Sequence, residues 1–372
     1  MRTVIQALVS PGEVRVAVVR NGSLIDYELW RPGSPDGVGD LHRGRVISVV
    51  PSMAGAFLAL ADAEGFLPDS EGAKGLTAGA ILGVRVTRAA QGSKGPRLTA
   101  RLAADEAEAA ANGPVGLLRR GTDPLRRLAV RYSDAPIEVD DPGLAATLQS
   151  DLAARVAITQ GDLDDDIAAT IDALAEPLVT LPNGVRLSIW PTPALIAIDV
   201  DAGSGVAGGG GRRQLHEALN RAVLPALAAQ IRLRNLSGGI VVDLAGLTAR
   251  RRVALAPDLT RALADDPLRP KFLGFTALGL AEIVRPRVHP PLHELLSGPL
   301  AAGLAALRAV TTAMTTDPRA LPALRATPAV VSALRSDPVA LPDLARRAGR
   351  DIIVRSDPAL PEFAWMLEHD HG

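Results

Sequence analysis

Two stretches of this chain are strongly apolar, and each stops on a carboxylate. The first, "ALIAIDVDAG" (194–203), ends in Asp199 and Asp201, and the second, "SGGIVVDLAGL" (237–247), ends in Asp243. A glycine-rich loop and a helical stretch from about Arg212 to Leu236 lie between them. Strand, helix and strand in that order favour a right-handed crossover that leaves the two strands parallel, with both carboxyl ends on one sheet edge. Asp199 and Asp243, distant in the chain, then converge. Residues i and i+2 of a strand share a face, so Asp201 joins them roughly 7 Å further along. Unit charges about 4 Å apart repel by roughly 4 kcal/mol at an effective dielectric near 20, so such a cluster must protonate, pair with a cation or bind metal. Arginines nearby in sequence, Arg232 and Arg234, offer structural ion pairing as the alternative.

The loop also spells G-x-G-x-x-G at Gly203, Gly205 and Gly208, the spacing of a dinucleotide fingerprint. Electrostatics oppose that use. A pyrophosphate would have to pass Asp199 and Asp201, and Asp243 lies well beyond the spacing of about 20 residues that a ribose-binding acid takes. With Mg²⁺ between the same carboxylates, a phosphate is drawn in instead of repelled.

At 372 residues and 47% apolar, the chain can bury a sizeable core and fill more than one domain. It has no cysteine, which excludes disulfides, a thiolate nucleophile and any cysteine zinc site. Net charge is −1, so nucleic-acid binding has to rest on local patches. Only 3 of the 40 basic residues are lysine, a bias that a GC-rich coding sequence explains, so arginine content alone says little about phosphate binding. No apolar run reaches the roughly 18 residues of a membrane span, and the start of the chain does not read as a signal peptide; a cytoplasmic location is expected.

Along the chain, "RTVIQALVS", "VRVAVVR" and "SLIDYELW" read as strands, with Asn21-Gly22 as a hairpin turn. A Pro/Gly-rich connector follows at 31–40. Five short β segments between His42 and Leu102 suit a small barrel of the OB type. Mixed helix and strand fill 103–185, and the part from about 299 is helical with one strand candidate, "RDIIVRS".

The blocks "ALIAIDVDAG", "ALNRAVLPALAAQIRLRNLSGGIVVDLAGL" and "GFTALGLAEIVRPR" resemble the catalytic segment of the bacterial RNase E/G endoribonucleases. Upstream, "GRVISVVPSMAGAFLALADAEGFLP" and "GSKGPRLTARL" resemble that family's S1-type RNA-binding domain, and "VTLPNGVRLSIWPTPAL" matches the entry to its catalytic domain. The resemblance implies a mixed α/β and β, multidomain fold: N-terminal strands of an RNase H-like subdomain (1–37), an inserted S1-like OB barrel (38–102), the rest of the RNase H-like part (103–185), a DNase I-like α/β catalytic domain (186–298) and a small C-terminal α/β domain (299–372).

It also implies cleavage of single-stranded RNA to 5′-phosphate and 3′-hydroxyl ends at a Mg²⁺, or Mn²⁺, held by Asp199 and Asp243. The family's asparagine in the site falls on Asp201, here a further metal-ligand candidate. RNA-stacking aromatics fall on Phe57 and Phe66 with a basic partner at Lys94, while Arg232, Arg234 and Arg285 are candidates for steadying the RNA backbone. Two parts of larger members are missing: there is no room for the 5′-end sensor, and the cysteine zinc link that ties protomers together is gone, so no oligomer follows from the resemblance. His289 and His293 are separated by two prolines, which disfavours a helical zinc pair. A catalytically impaired, RNA-binding relative is the alternative reading, and Asp201 is the residue that favours it.

Overall fold

The computed structural model describes residues 2–159, 164–181, 184–201, 212–244, 246–317 and 322–368. They form two compact units: one holds 1–33, 128–286 and 291–372, the other 34–127 and 287–290.

The first unit opens with an antiparallel meander, β1 (Thr3–Ser10), β2 (Glu13–Arg20) and β3 (Ser23–Trp30). Asn21 and Gly22 both take positive φ (50° and 75°), the backbone that a two-residue hairpin turn of matching twist needs.

The second unit is built on a barrel. Its strands are β4 (Leu41–Val50), β5 (Gly55–Ala59), β6 (Glu64–Pro68), β7 (Ile81–Arg88), β8 (Arg97–Thr99) and β9 (Gly116–Arg119). The order β5-β6-β8-β7-β4 closes through a β4–β5 pairing, and β9 adds to β4. Val46, Leu58, Leu67, Val84 and Leu98 fill the interior. The barrel expected between His42 and Leu102 is therefore present, and its closure leaves these five strands no unpaired edge.

Back in the first unit, β10 (Ile137–Val139) and β11 (Val156–Ile158) add in parallel to the meander, giving the order β11-β10-β1-β2-β3. The same unit holds a six-stranded sheet of β12 (Leu178–Thr180), β13 (Arg186–Pro191), β14 (Ile196–Asp201), β15 (Gly238–Asp243), β16 (Lys271–Phe275) and β17 (Ala281–Arg285). Its order is β12-β13-β14-β15-β17-β16, and of its pairings only β14–β15 is parallel, joined through the helix Arg212–Leu233. Leu187, Ile189, Ile196, Ile198, Val200, Ile240, Val242 and Ile283 form one apolar face, packed with Val223, Leu224, Leu227 and Ile231 of that helix. A smaller sheet, β18 (Ala323–Ala326), β19 (Val354–Ser356) and β20 (Trp365–Glu368) in the order β19-β18-β20, shares a core with the helices Gly298–Thr316, Pro328–Ser336 and Ala340–Ala348. No helix among the described residues is long and apolar enough to cross a membrane.

The buried face of the six-stranded sheet decides which way every other residue of its strands points. Ile198→Ala, at a fully packed position of β14, is expected to lower stability in urea unfolding by about 2–5 kcal/mol. A loss below about 0.5 kcal/mol would mean that this face does not pack as described.

Candidate active site

Because Ile196, Ile198 and Val200 of β14 and Ile240 and Val242 of β15 are buried under the helix, Ala197, Asp199, Asp201, Val241 and Asp243 take the opposite face. Parallel register sets Asp199 directly opposite Asp243, at the carboxyl ends of both strands. Neighbouring strands are about 4.8 Å apart. Both side chains are exposed, that of Asp243 by 52%. Partial burial, the charge of Asp243 and the charge of Asp201, in that order, push the Asp199 carboxyl above the ordinary carboxylate range.

Asp243 is held differently. Arg252, nine positions on in the helix Ala249–Ala254, donates from Nη1 to Asp243 Oδ1 at 3.1 Å and from Nε to the Leu247 carbonyl at 3.0 Å, and Nη1 also donates to the Gly279 carbonyl. Its side chain is only 13% exposed. Gly279 has φ +86°, and a Cβ there would stand 2.9 Å from Arg252 Nη1, so this turn has to be glycine for the arginine to fit. Sequence reasoning missed Arg252; the signal available was the basic run "ARRR" that opens the helix after Asp243.

Asp201, expected as a further metal ligand, shares the face of Asp199, and its charge acts on that carboxyl. It lies opposite Arg186 of β13 and accepts from its Nη2 at 2.5 Å. Among the described residues no three His, Asp or Glu side chains gather closely enough to share an ion. The extra charge that Asp201 brings is thus offset by the neighbouring strand.

The backbone-phosphate candidates separate in the same way. Arg234 is buried, donating to Gln230 Oε1 and to the carbonyls of Glu176 and Ala173, and burial pulls its guanidinium down to about 10. Arg285, 3% exposed, donates to Asp266, Asn235 Oδ1 and the Leu236 carbonyl. Arg232 is half-buried and donates to the Ile25 carbonyl. Arg234 and Arg285 are interior and aimed at protein acceptors, which sets them apart from the expectation that they steady an RNA phosphate: a buried guanidinium is not presented to solvent, where a phosphate would approach. His289 lies against Asp36, Nδ1 to Oδ2 at 2.5 Å. The G-x-G-x-x-G glycines lie outside the described residues.

In the barrel unit, Phe57 and Phe66 are direct partners on β5 and β6, with ring centroids 5.3 Å apart and planes tilted by 59°. Both are half-buried. A Cβ at Gly55 would stand 2.5 Å from Phe66 Cζ, so glycine there is what lets the ring lie across β5. Lys94 is exposed in a turn closed by reciprocal backbone bonds with Gln91 (2.8 and 2.9 Å). The register adds two arginines the sequence did not single out: Arg97 opposes Phe66, and Arg88 opposes Arg97. Burial, then the charges of Arg97 and Arg287, lower the Arg88 guanidinium, which marks a basic strip beside the aromatic pair.

Residues 144–288 match the sequence pattern of the Ribonuclease E/G family. Ribonuclease E of Synechocystis sp. is 34% identical over 134 residues, which is 36% of this chain and 20% of that protein. Ribonuclease E of Nostoc sp. is 36% identical over 130 residues, covering 35% of this chain and 19% of the relative. Ribonuclease G of Escherichia coli K12 is 34% identical over 137 residues, 35% of this chain and 27% of the relative. Both strand-end aspartates, Asp199 and Asp243, fall inside the matched segment. This segment of the chain is similar to the ribonuclease E/G family. The chain matches these curated relatives over roughly a quarter or less of their length, and the barrel residues Phe57, Phe66 and Lys94 lie outside the family match.

The raised Asp199 carboxyl carries a stability sign. A carboxyl whose folded value lies above its unfolded one favours the folded state only when protonated, and its contribution turns unfavourable as pH rises through the carboxylate range. Asp199→Asn is therefore expected to unfold at a slightly higher temperature than wild type at neutral pH in EDTA, by no more than about 1 kcal/mol because solvent screens so exposed a group. The gain is expected to vanish in thermal melts near pH 3, and a melt unchanged or lowered at neutral pH would contradict the assigned repulsion.

Proposed function

We propose that this chain is a divalent-metal-dependent endoribonuclease that cuts single-stranded RNA, in RNA processing or decay. The observation that carries the reading is the in-register pair Asp199 and Asp243 at one sheet edge, inside the segment that matches the ribonuclease E/G family. The pair fits a hard divalent cation: two carboxylates side by side, both open to solvent, one raised by burial and by its neighbours' charge. Asp199 and Asp243 would hold Mg²⁺ or Mn²⁺. When bound, such an ion supplies charge neutralisation at a phosphodiester and activation of the attacking water.

The chain's own residues do the rest. Arg252, fixed by two carbonyls, orients the Asp243 carboxylate and keeps a positive charge beside it. The Arg186–Asp201 pair holds the third carboxylate neutral in sum. In-line attack of water on phosphorus expels the 3′ oxygen and leaves a 5′-phosphate and a 3′-hydroxyl end. The barrel, read as S1-like and of the OB type, gives RNA a separate foothold: bases stack on Phe57 and Phe66, and Lys94, Arg97 and Arg88 meet the backbone. Stacking contributes about 1–3 kcal/mol per base, enough to hold a strand on a protein with no global basic field.

Cleavage of an unstructured A/U-rich RNA is expected with Mg²⁺ and not in EDTA, and Asp243→Asn is expected to abolish it while RNA affinity in a filter-binding assay stays within a few-fold. Arg252→Gln is expected to lower turnover by about 10- to 100-fold, the usual cost of losing a group that orients a metal ligand. Phe57→Ala and Phe66→Ala are each expected to weaken RNA binding by about 1–3 kcal/mol. The second reading, an RNA-binding relative without catalysis, rests on Asp201 in place of the family asparagine. Intact RNA binding with no cleavage by wild type would favour it.

A further inference from the structure

The open face of the six-stranded sheet carries an aromatic residue beside the carboxylate pair. Leu187 and Ile189 of β13 are buried in the core, so Ser188 and Trp190 take the face that carries Asp199 and Asp243. Register arranges that face in rows. Ser188, Asp199 and Asp243 form one row, and Trp190, Ala197, Val241 and Glu282 form the next. Rows two residues apart are about 7 Å apart, so the indole stands one row from the carboxylates.

Trp190 is 53% exposed, whereas Trp30 and Trp365 are more covered. Its inner neighbour is the small Ala197, which builds no wall between the ring and the aspartates. On the outer side, β12 pairs only with Arg186–Ser188 and stops short of Trp190. The turn that follows is fixed: Thr192 Oγ1 donates to the Leu195 carbonyl at 2.6 Å, Leu195 N–H returns to Thr192 Oγ1 at 3.2 Å, and Pro191 and Pro193 flank it. A large aromatic ring is thus presented to solvent on a stiff strand end, where burial is the ordinary fate of tryptophan.

We propose that Trp190 is a stacking platform for one nucleobase of the RNA strand cut at Asp199 and Asp243. The inference rests on the endoribonuclease reading and deepens it, by assigning a substrate contact within the catalytic unit itself. A nucleobase fits better than a protein partner, because the ring's row mixes one aromatic with small and charged residues, Ala197 and Glu282, whereas protein interfaces are depleted of charge at their centres. Stacking is also the contact that survives next to two carboxylates: it engages the π-face of a base and does not require a phosphate to approach negative charge. Trp190 is a positioning residue; it holds the strand while Asp199 and Asp243 act.

The test uses the full chain and short single-stranded oligoribonucleotides in EDTA, so that binding is read without cleavage. In a form carrying Trp30→Phe and Trp365→Phe, the fluorescence of Trp190 is expected to be quenched saturably by RNA. In the otherwise unaltered chain, Trp190→Ala is expected to weaken affinity by about 5- to 150-fold, and Trp190→Phe by only a few-fold. An abasic scan of the oligonucleotide locates the base: the Trp190→Ala penalty is expected to vanish at one abasic position and persist at the others. With Mg²⁺, that position is expected to lie next to the cleaved bond. No quenching, an unchanged Trp190→Ala affinity, or an equal penalty at every abasic position would overturn the proposal while leaving cleavage standing. Concentration-dependent self-association lost in Trp190→Ala, with RNA affinity intact, would assign the face to a second copy instead and overturn it too. A wild-type chain that binds no RNA and cleaves none would remove the endoribonuclease reading itself.

Discussion

The site depends on alternation in two parallel strands. Burying Ile196, Ile198 and Val200 together with Ile240 and Val242 against the helix Arg212–Leu233 leaves Asp199 and Asp243 no other face. Each such side chain contributes about 1.5–3 kcal/mol on burial. Two carboxylates on neighbouring strands repel by about 3 kcal/mol at 5 Å and a dielectric near 20, less when solvent screens them. Five buried aliphatic residues outweigh that repulsion, and the sheet holds two like charges together that would separate if free. Burial and then this repulsion leave the Asp199 carboxyl above the ordinary carboxylate range.

Arginine shows how little residue type says without placement. Arg234 and Arg285 were both candidates for meeting a phosphate, yet both are interior, and each satisfies several acceptors that the fold would otherwise leave bare. Arg252 also bonds backbone carbonyls, but its last donor reaches Asp243 at the exposed sheet edge. A planar fork with five donors suits all three positions, and what separates structural from functional use is whether one donor ends at the site. Arg186 does a further job, offsetting the carboxylate that this chain carries at Asp201.

The barrel carries a different kind of surface. With 3% aromatic residues in the chain, two phenylalanines meeting at 5.3 Å on adjacent strands, over a glycine that makes room for one ring, form a local surface that composition does not foretell. The arginines at 88 and 97, at the end of β7 and the start of β8, come to lie beside Phe66 because β6, β8 and β7 are neighbours.

The sequence by itself determined the local grammar: the Asn21-Gly22 hairpin, the run of short barrel strands, the strand–helix–strand order around the aspartates, and the two acidic strand ends. Those follow from turn chemistry, side-chain period and the crossover rule, all written within a few dozen residues. Tertiary structure decided the rest. That Asp201 pairs with Arg186, that Arg252 reaches back to Asp243, that Arg234 and Arg285 are interior, and that Trp190 shares a face with the carboxylates all depend on strand register and on which loop meets which helix. Register is a pairing between distant residues, fixed by the summed burial of a whole face, and no single stretch of sequence contains it.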